Sequence, residues 1–239
     1  MCGKIRAKTS WAATVDIAAA HADVAGDETV ALRVMANLPV IVFDGGARMV
    51  LPMRWGFPDA QDWRRPRPIH ARAETIDSMP AFAAAFRDGR RGIVLAQSFN
   101  EAPDDGKGGS GGQHVVTPAG PVGLAFVWRR FEMERFQEKC AAVFRPEPRE
   151  NKDGQALFAC VMVTVPANRL LTGLPTDRMP AVIAPEDWAV WLGEEPAGPA
   201  AVKACLRTVE DTRWTMTREE RAASTRRTRP AVSDPGGLF

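Results

Sequence analysis

The feature that most constrains the fold is a pair of apolar segments separated by a glycine-containing turn. The segments cover residues 40–43 and 47–53, and Asp44-Gly45-Gly46 lies between them. This pattern predicts a β-hairpin, because glycine readily adopts the positive φ angles that a tight hairpin turn requires. A lone hairpin is only marginally stable in water, so further strands are needed to cover it.

Three later segments supply candidate strands. Residues 93–96, 122–128 and 157–165 are apolar and rich in β-branched side chains, and the last is apolar enough to be a central strand. Short helices are predicted after Ser78 and Pro80, from Pro185, and across the alanine-rich residues 12–24. Short strands mixed with short helices predict a single α+β domain with a curled, mainly antiparallel, barrel-like sheet.

The predicted domain covers residues 1–216, and residues 217–239 form a basic tail that is expected to be flexible. The tail contains several arginines and ends near Pro235-Gly236-Gly237. An alternative organisation divides the chain into two small subdomains near the glycine-rich residues 107–112.

Composition excludes several classes of protein. With 31 basic and 29 acidic residues the formal charge is +2, so any nucleic-acid binding depends on local clusters of charge. We expect no signal peptide, and no apolar run in the sequence has the roughly 18 residues that a membrane span needs. We expect a cytoplasmic monomer with no membrane partner.

The four cysteines, Cys2, Cys140, Cys160 and Cys205, are far apart in the sequence. Together with the three histidines they show no metal-ligand spacing, so reduced thiols and no metal or other cofactor are expected.

Cys2 has a special chemistry if Met1 is removed. Its α-amine, with a pKa near ~7.7–8.0, and its thiol, with a pKa near ~8.5, would then lie on adjacent carbons. The amine can condense with an aldehyde to an imine, and the thiol can close onto the imine carbon to give a thiazolidine. The pair is therefore a candidate reagent for aldehydes.

Four separated motifs occur in a characteristic order: MCG (1–3), HARAET (70–75), SFNE (98–101) and TDRMP (176–180). Together they resemble the SRAP family (SOS response-associated peptidase domain), over residues 2–216. The resemblance implies protection of abasic sites in single-stranded DNA through a thiazolidine crosslink to the N-terminal cysteine. It also implies an autoproteolytic, peptidase-type activity.

The same resemblance implies roles for individual residues. Cys2 would be the nucleophile and crosslinking residue, and Glu101 would be the catalytic glutamate. Arg72 and Arg178 match basic residues that hold DNA phosphates, and Lys4 stands near a further phosphate contact. Residue Glu74 would be structural. Around them, Trp55 and the arginine-rich residues 63–67 could stack on bases and attract phosphates, with core packing as the alternative for Trp55.

Two motifs depart from the family pattern. His70 stands where the family has asparagine, and Thr176 stands where it has the histidine credited with acid–base work on the sugar. Asn100 and Ala102 also replace aromatic residues beside Glu101. We hypothesise that His70 partly replaces the missing histidine, because imidazole titrates near neutrality. Thr176 cannot act as a general acid, so sugar opening should be slower than in a histidine-bearing relative.

The sequence therefore predicts a DNA-damage-response protein that crosslinks abasic single-stranded DNA through Cys2. Two alternatives stay open. One is an N-terminal-nucleophile hydrolase or self-processing peptidase. The other is a single-stranded-DNA binding module that has lost the chemistry, which the loss of the family histidine favours.

Overall fold

The computed structural model describes residues 2–8, 29–59, 62, 65–103, 112–132, 156–174 and 176–219. Within them the strands are β1 (Lys4–Lys8), β2 (Thr29–Arg33), β3 (Asn37–Asp44), β4 (Ala47–Trp55), β5 (His70–Arg72), β6 (Arg91–Ala96), β7 (Ser98–Glu101), β8 (His114–Thr117), β9 (Val122–Glu132), β10 (Ala156–Pro166), β11 (Arg178–Pro180), β12 (Val182–Ile183) and β13 (Thr215–Arg218). The described helices are α1 (Ala83–Arg87), α2 (Trp188–Leu192) and α3 (Pro199–Ala204), with 3-10 turns at Ala73–Thr75, Leu171–Gly173 and Pro185–Asp187.

The centre of the fold is a closed, barrel-like sheet of β4, β3, β6, β9 and β10. Each strand bonds to the next, and β10 bonds back to β4 to close the ring. The β4–β10 pair is parallel and the other four pairs are antiparallel. Strands β5 and β11 extend the sheet alongside the second half of β10. The predicted α+β domain with a curled, mainly antiparallel sheet is confirmed.

The hairpin predicted from the sequence is the β3–β4 pair. Its ladder runs from Asn37 opposite Arg54 to Asp44 opposite Ala47. Gly45 and Gly46 form the turn with φ angles of 59° and 85°, which residues with a Cβ rarely adopt. The prediction was correct because the turn chemistry and the apolar runs indicate the same structure.

A second sheet has five antiparallel strands in the order β13-β8-β7-β1-β2. Strand β1 lies inside this sheet, between β7 and β2, so that Lys4 is opposite both Asn100 and Arg33. Only Gln97 separates β6 from β7, and its backbone N–H donates to the carbonyl of Arg6 at 2.8 Å. The chain thus passes directly from the closed sheet into the five-stranded one.

One hydrophobic core joins the two sheets. It contains Ile5 and Phe99 from the five-stranded sheet together with Val40 and Phe126 from the closed sheet. Gly92 permits a close approach between β3 and β6, because a Cβ there would lie 2.4 Å from Cγ1 of Val40. This continuous core is what one domain requires.

The other sequence predictions can be placed on this fold. Strands β6, β9 and β10 contain the predicted strand segments, and α2 buries Trp188, Trp191 and Leu192 as expected. Helix α1 follows Pro80, but Phe82 rather than Ser78 is its N-cap residue. The predicted helix at 12–24 and nearly all of the glycine-rich segment lie outside the described residues.

The predicted domain boundary at 216 falls within β13, whose ladder with β8 continues to Arg218 opposite His114. Residues 220–239 of the predicted tail lie outside the described part of the chain. Among the described helices, none is both long enough and apolar enough to cross a bilayer.

Candidate active site

Four separated strands bring the predicted reactive residues to one small cavity. Its volume is about 10 Å³, and it is lined by Cys2, His70, Glu101, Thr164, Arg178, Met179 and Pro180. Strand β10 organises this arrangement, because β5 and β11 flank it on opposite sides in the registers Met162–His70 and Pro166–Arg178. The β1–β7 pair supplies the remaining two residues, Cys2 and Glu101. A cavity of this size has room for about one water molecule.

Cys2 lies just before β1 and is 3% exposed. Its thiol contacts the carbonyl oxygen of Lys4, with Sγ and oxygen 3.5 Å apart. Burial, and then the charge of Glu101, raise the pKa of the Cys2 thiol to about 12. The thiol is therefore protonated at neutral pH in this structure, and it needs a base before it can react.

Glu101 ends β7 and is 1% exposed. Burial raises the pKa of its carboxyl group, and a hydrogen bond with Thr176 partly opposes that shift. A carboxyl group whose pKa is moved towards neutrality can both accept and return a proton at physiological pH. The environment of Glu101 thus suits general acid–base chemistry beside the Cys2 thiol.

His70 holds the backbone of Cys2. Its Nε2 lies 2.6 Å from the carbonyl oxygen of Cys2, and because a carbonyl can only accept, Nε2 carries the proton. Burial lowers the pKa of His70, so the imidazole is neutral at pH 7. In this arrangement His70 fixes the position of Cys2, and its Nδ1 is left as an acceptor.

Thr176 also belongs to this cluster. Its hydroxyl accepts from the backbone N–H of Arg178 at 3.5 Å, lies 3.3 Å from the carbonyl oxygen of Arg178, to which it can donate, and is also hydrogen-bonded with Glu101. A hydroxyl can donate to a carboxylate, but it cannot supply a proton at neutral pH as an imidazolium can. Thr176 therefore occupies the position of the family histidine but cannot act as an acid there.

Arg178 forms a bidentate ion pair with Glu74. Its Nη1 and Nη2 lie 2.6 and 2.9 Å from the two carboxylate oxygens, and Nη2 also donates to the carbonyl of Thr164 at 2.6 Å. The hydrogen bond from Arg178 lowers the pKa of Glu74. Glu74 therefore orients Arg178 at the cavity wall, which agrees with the structural role expected for it.

The other predicted DNA contacts differ in exposure. Arg72 is exposed, whereas Lys4 is 8% exposed and pairs with Glu219. The interpretation of Trp55 as a base-stacking residue requires correction. Its ring is fully buried, its Nε1 donates to the carbonyl of Ile69 at 3.3 Å, and it packs edge-on against Phe126. It is a core residue with no face open to a base. Trp63 and Arg64 lie outside the described residues.

Sequence reasoning missed Glu219, which bonds to Asn100, and Thr164, which lines the cavity. Asn100 donates from Nδ2 to Oε2 of Glu219 at 2.9 Å, and Glu219 also contacts Lys4. Because 119 residues separate Asn100 from Glu219, no spacing in the sequence could indicate the contact. The lining role of Thr164 follows from its register opposite Pro180.

A larger cavity, of about 400 Å³, contains none of the predicted site residues. It lies around Arg91, α1 and the end of α2. Cys2, Cys160 and Cys205 are buried free thiols, and the described residues contain no group of three side chains arranged to hold a metal.

Comparison with solved structures shows the same fold in several proteins. A protein from Bordetella bronchiseptica matches with a TM-score of 0.66 at 20% identity, over 92% of this chain and 100% of that one. A Bacteroides thetaiotaomicron protein also gives 0.66, at 17% identity over 92% and 93%. A phage-related protein from B. bronchiseptica gives 0.59 at 20% identity, over 92% and 95%.

No curated protein matches the chain. The family described as SOS response associated peptidase (SRAP) matches residues 1–222, which include every residue of the cavity. This match covers both sheets and reaches beyond β13. The chain therefore belongs to the SRAP family, which ties it to the response to DNA damage.

Proposed function

We propose that this protein captures abasic sites in single-stranded DNA as a covalent thiazolidine on Cys2. The observation that carries the proposal is the meeting of Cys2, Glu101 and His70 at one buried cavity, although they lie far apart in the sequence. A thiol, a carboxyl group with a raised pKa and a group that fixes the backbone are the parts that this chemistry needs.

The reaction begins with removal of Met1, which frees the α-amine of Cys2. The amine attacks the ring-opened sugar aldehyde, and the resulting carbinolamine loses one water to give an imine. The thiol sulfur then adds to the imine carbon, and the thiol proton ends on the nitrogen. The crosslinking steps that follow Met1 removal require no oxidant or reductant, and water is the only product that they release.

Glu101 supports the proton transfers. Its carboxylate accepts a proton from the attacking nitrogen and, as the acid, returns it to the departing hydroxyl group. The same carboxylate is placed to draw the proton from the Cys2 thiol, whose own pKa of about 12 makes it a poor nucleophile unaided. Proton transfer by a positioned group contributes about 10²–10⁴ in rate.

His70 and Thr176 have different tasks in this proposal. The neutral His70 holds the Cys2 carbonyl at 2.6 Å and so orients the attacking nitrogen and sulfur. Thr176 orients the Glu101 carboxylate through its hydroxyl. Since Thr176 cannot protonate the sugar oxygen, ring opening depends on Glu101 or on water, and this is the step we expect to be slow.

DNA binding would use the exposed cations near the cavity. Arg72 adjoins His70 on β5, and Arg6 and Arg33 are exposed on β1 and β2. Guanidinium groups form forked hydrogen bonds with phosphates, which position a strand without reading its sequence. A deoxyribose needs more room than about 10 Å³, so the lining side chains must separate as the lesion enters.

A non-covalent single-stranded-DNA binding module is the second candidate. It is favoured by Thr176 in place of an acid and by the protonated state of the buried thiol. In that case the cationic surface would bind DNA, and the cavity would be inactive.

Intact mass spectrometry of the Met1-processed protein with an abasic oligonucleotide tests the two candidates. The crosslinking proposal expects an adduct that is stable without borohydride and maps to the N-terminal peptide. The matched control is Cys2→Ala, which keeps the amine but should give only an imine that borohydride must trap. DNA binding that is equal in both proteins, with no adduct in either, would select the non-covalent module.

A further inference from the structure

The carboxylate of Glu219 lies between two donors beside the cavity. Lys4 Nζ is 2.5 Å from Oε1, and Asn100 Nδ2 is 2.9 Å from Oε2. The backbone N–H of Glu219 donates to the carbonyl of Gln113 at 2.7 Å, which anchors the residue after β13 ends. Both carboxylate oxygens therefore have a side-chain donor, one from β1 and one from β7.

The surroundings of this carboxylate are cationic. Arg6 lies two residues after Lys4 on β1, and Arg33 lies opposite Lys4 on β2, so the three side chains share one face of the sheet. The hydrogen bond from Lys4 lowers the pKa of Glu219, and the charges of Lys4, Arg6 and Arg33 act in the same direction. The side chains around the Glu219 carboxylate therefore favour an anion at this position.

This position is directly connected to the reactive residues. Lys4 is two residues after Cys2 and lies opposite Asn100 in the β1–β7 ladder, and the Cys2 thiol is hydrogen-bonded to the backbone of Asn100. A DNA strand whose abasic sugar reaches Cys2 would therefore bring a neighbouring phosphate close to Lys4 and Asn100. The carboxylate of Glu219 stands in that path.

We propose that Lys4 and Asn100 form a phosphodiester-binding site, called here the anion seat, that Glu219 occupies until DNA displaces it. A phosphodiester presents two non-bridging oxygens that share a negative charge, and an ammonium and an amide NH₂ can bind them as they bind the carboxylate. The inference rests on the proposed function, since it names the DNA group that replaces Glu219.

The position of Glu219 in the fold permits such an exchange. Its side chain is 28% exposed, and it follows the four-residue strand β13 at the edge of the five-stranded sheet. Short edge elements open locally at low free-energy cost. The exchange leaves Lys4 paired with an anion in both states, so the largely buried ammonium is never left alone.

An internal competitor reduces the apparent affinity for DNA to the fraction of molecules in which the anion seat is open. If Glu219 fills the anion seat about nine-tenths of the time, the apparent affinity for DNA is reduced about 10-fold, because only the open fraction binds. Glu219→Gln removes the charge but keeps an isosteric side chain that can still bond to Asn100. This variant should bind single-stranded DNA about 10-fold more tightly than the parent protein.

Fluorescence anisotropy with a labelled single-stranded oligonucleotide measures this change in the full chain. The matched control is Glu210→Gln, which makes the same charge change at an exposed residue outside the seat. Each substitution is also made in a Lys4→Gln protein. In that background Glu219→Gln should not raise the affinity for DNA, because the anion seat has lost its ammonium group. A gain confined to Glu219→Gln, and abolished by Lys4→Gln, supports the inference.

Equal affinities in Glu219→Gln and Glu210→Gln, or a loss of affinity in Glu219→Gln, would overturn it. The behaviour of the parent protein tests the proposed function separately from the anion seat. A parent protein that crosslinks abasic DNA while Glu219→Gln behaves like its control removes only the anion seat. Failure of the parent protein to bind or crosslink any single-stranded DNA removes both.

Discussion

Two regions of this protein bury ionisable side chains and use them differently. Arg91, at the start of β6, is 7% exposed and donates to the carbonyl oxygens of Trp191 at 2.5 Å and Phe86 at 2.8 Å. Its guanidinium lies 5.9 Å from the centroids of both rings. Beyond the other end of β6, the cluster of Cys2, His70 and Glu101 is also buried, around the small cavity, whereas Arg91 borders the larger one.

Burial shifts the pKa of Arg91 downwards as well, so the difference between the regions lies in the partners of each group. At Arg91 the donors are bonded to carbonyls near the ends of α1 and α2, where a cation is favoured, so the charge joins two helices. In the Cys2 cluster burial raises the pKa of Glu101 and lowers that of His70, which favours the uncharged form of each side chain. Shifts of this kind are typical of sites that move protons. We therefore expect the first region to stabilise and the second to react.

Replacing Glu101 with glutamine should have the largest effect. The amide cannot take the thiol proton, so the rate of crosslinking should fall about 10³-fold, within the usual range for a general base. The free energy of unfolding at pH 7 should not fall, because a buried carboxyl group is replaced by a neutral group of similar size. Single-turnover gel assays and urea denaturation measure the two quantities. Loss of stability with an unchanged rate would reverse the assignment of the two regions.

Replacing Arg91 with methionine should show the opposite pattern. Two buried carbonyl groups lose charged donors, and the free energy of unfolding should fall by about 3 kcal/mol. The crosslinking rate of the folded protein should stay the same, since Arg91 lies outside the cavity. Urea denaturation gives the loss, with Arg90→Met as a control at a more exposed neighbour. A 10-fold fall in the crosslinking rate of the folded variant would show that Arg91 also contributes to the reaction.

His70 should give the smallest effect, visible as a pH dependence of stability. Its folded-state pKa is lowered from 6.5, so the unfolded chain binds the proton more readily. The stabilisation from neutral His70 is complete above 6.5 and is lost as the pH falls towards the folded pKa. Thermal unfolding between pH 7.5 and 5, in the range ~5–8 where histidine titrates, should show a steeper acid loss in the parent than in His70→Asn. Parallel curves would show that His70 is not desolvated.

Much of the fold could be predicted because local signals agreed with each other. The turn at Gly45-Gly46 and the apolar segments around it predicted β3 and β4, and the tryptophans of α2 predicted its buried face. What could not be predicted was the closure of the sheet. The pairing of β4 with β10 joins Trp55 to Cys160, and the strength of such a contact depends on the whole fold and not on any local pattern.

The site shows the same limit. The motifs pointed to Cys2, His70, Glu101 and Thr176, and the structure places them together. The reading of Trp55 was wrong because an aromatic side chain that could stack on a base looks, in sequence, the same as one that fills a core. No sequence pattern indicated a role for Glu219, because its contact with Lys4 depends on the pairing of β13 with β8.

Strand β1 has a consequence for how a lesion could be reached. Chain ends usually fray, yet only Gly3 separates Cys2 from a strand that is bonded on both sides, to β2 and to β7. Its reactive atoms are therefore held almost as firmly as those of an interior side chain. In the proposed crosslinking the N-terminal segment therefore stays in position. The DNA strand must bend so that the abasic sugar rotates towards Cys2.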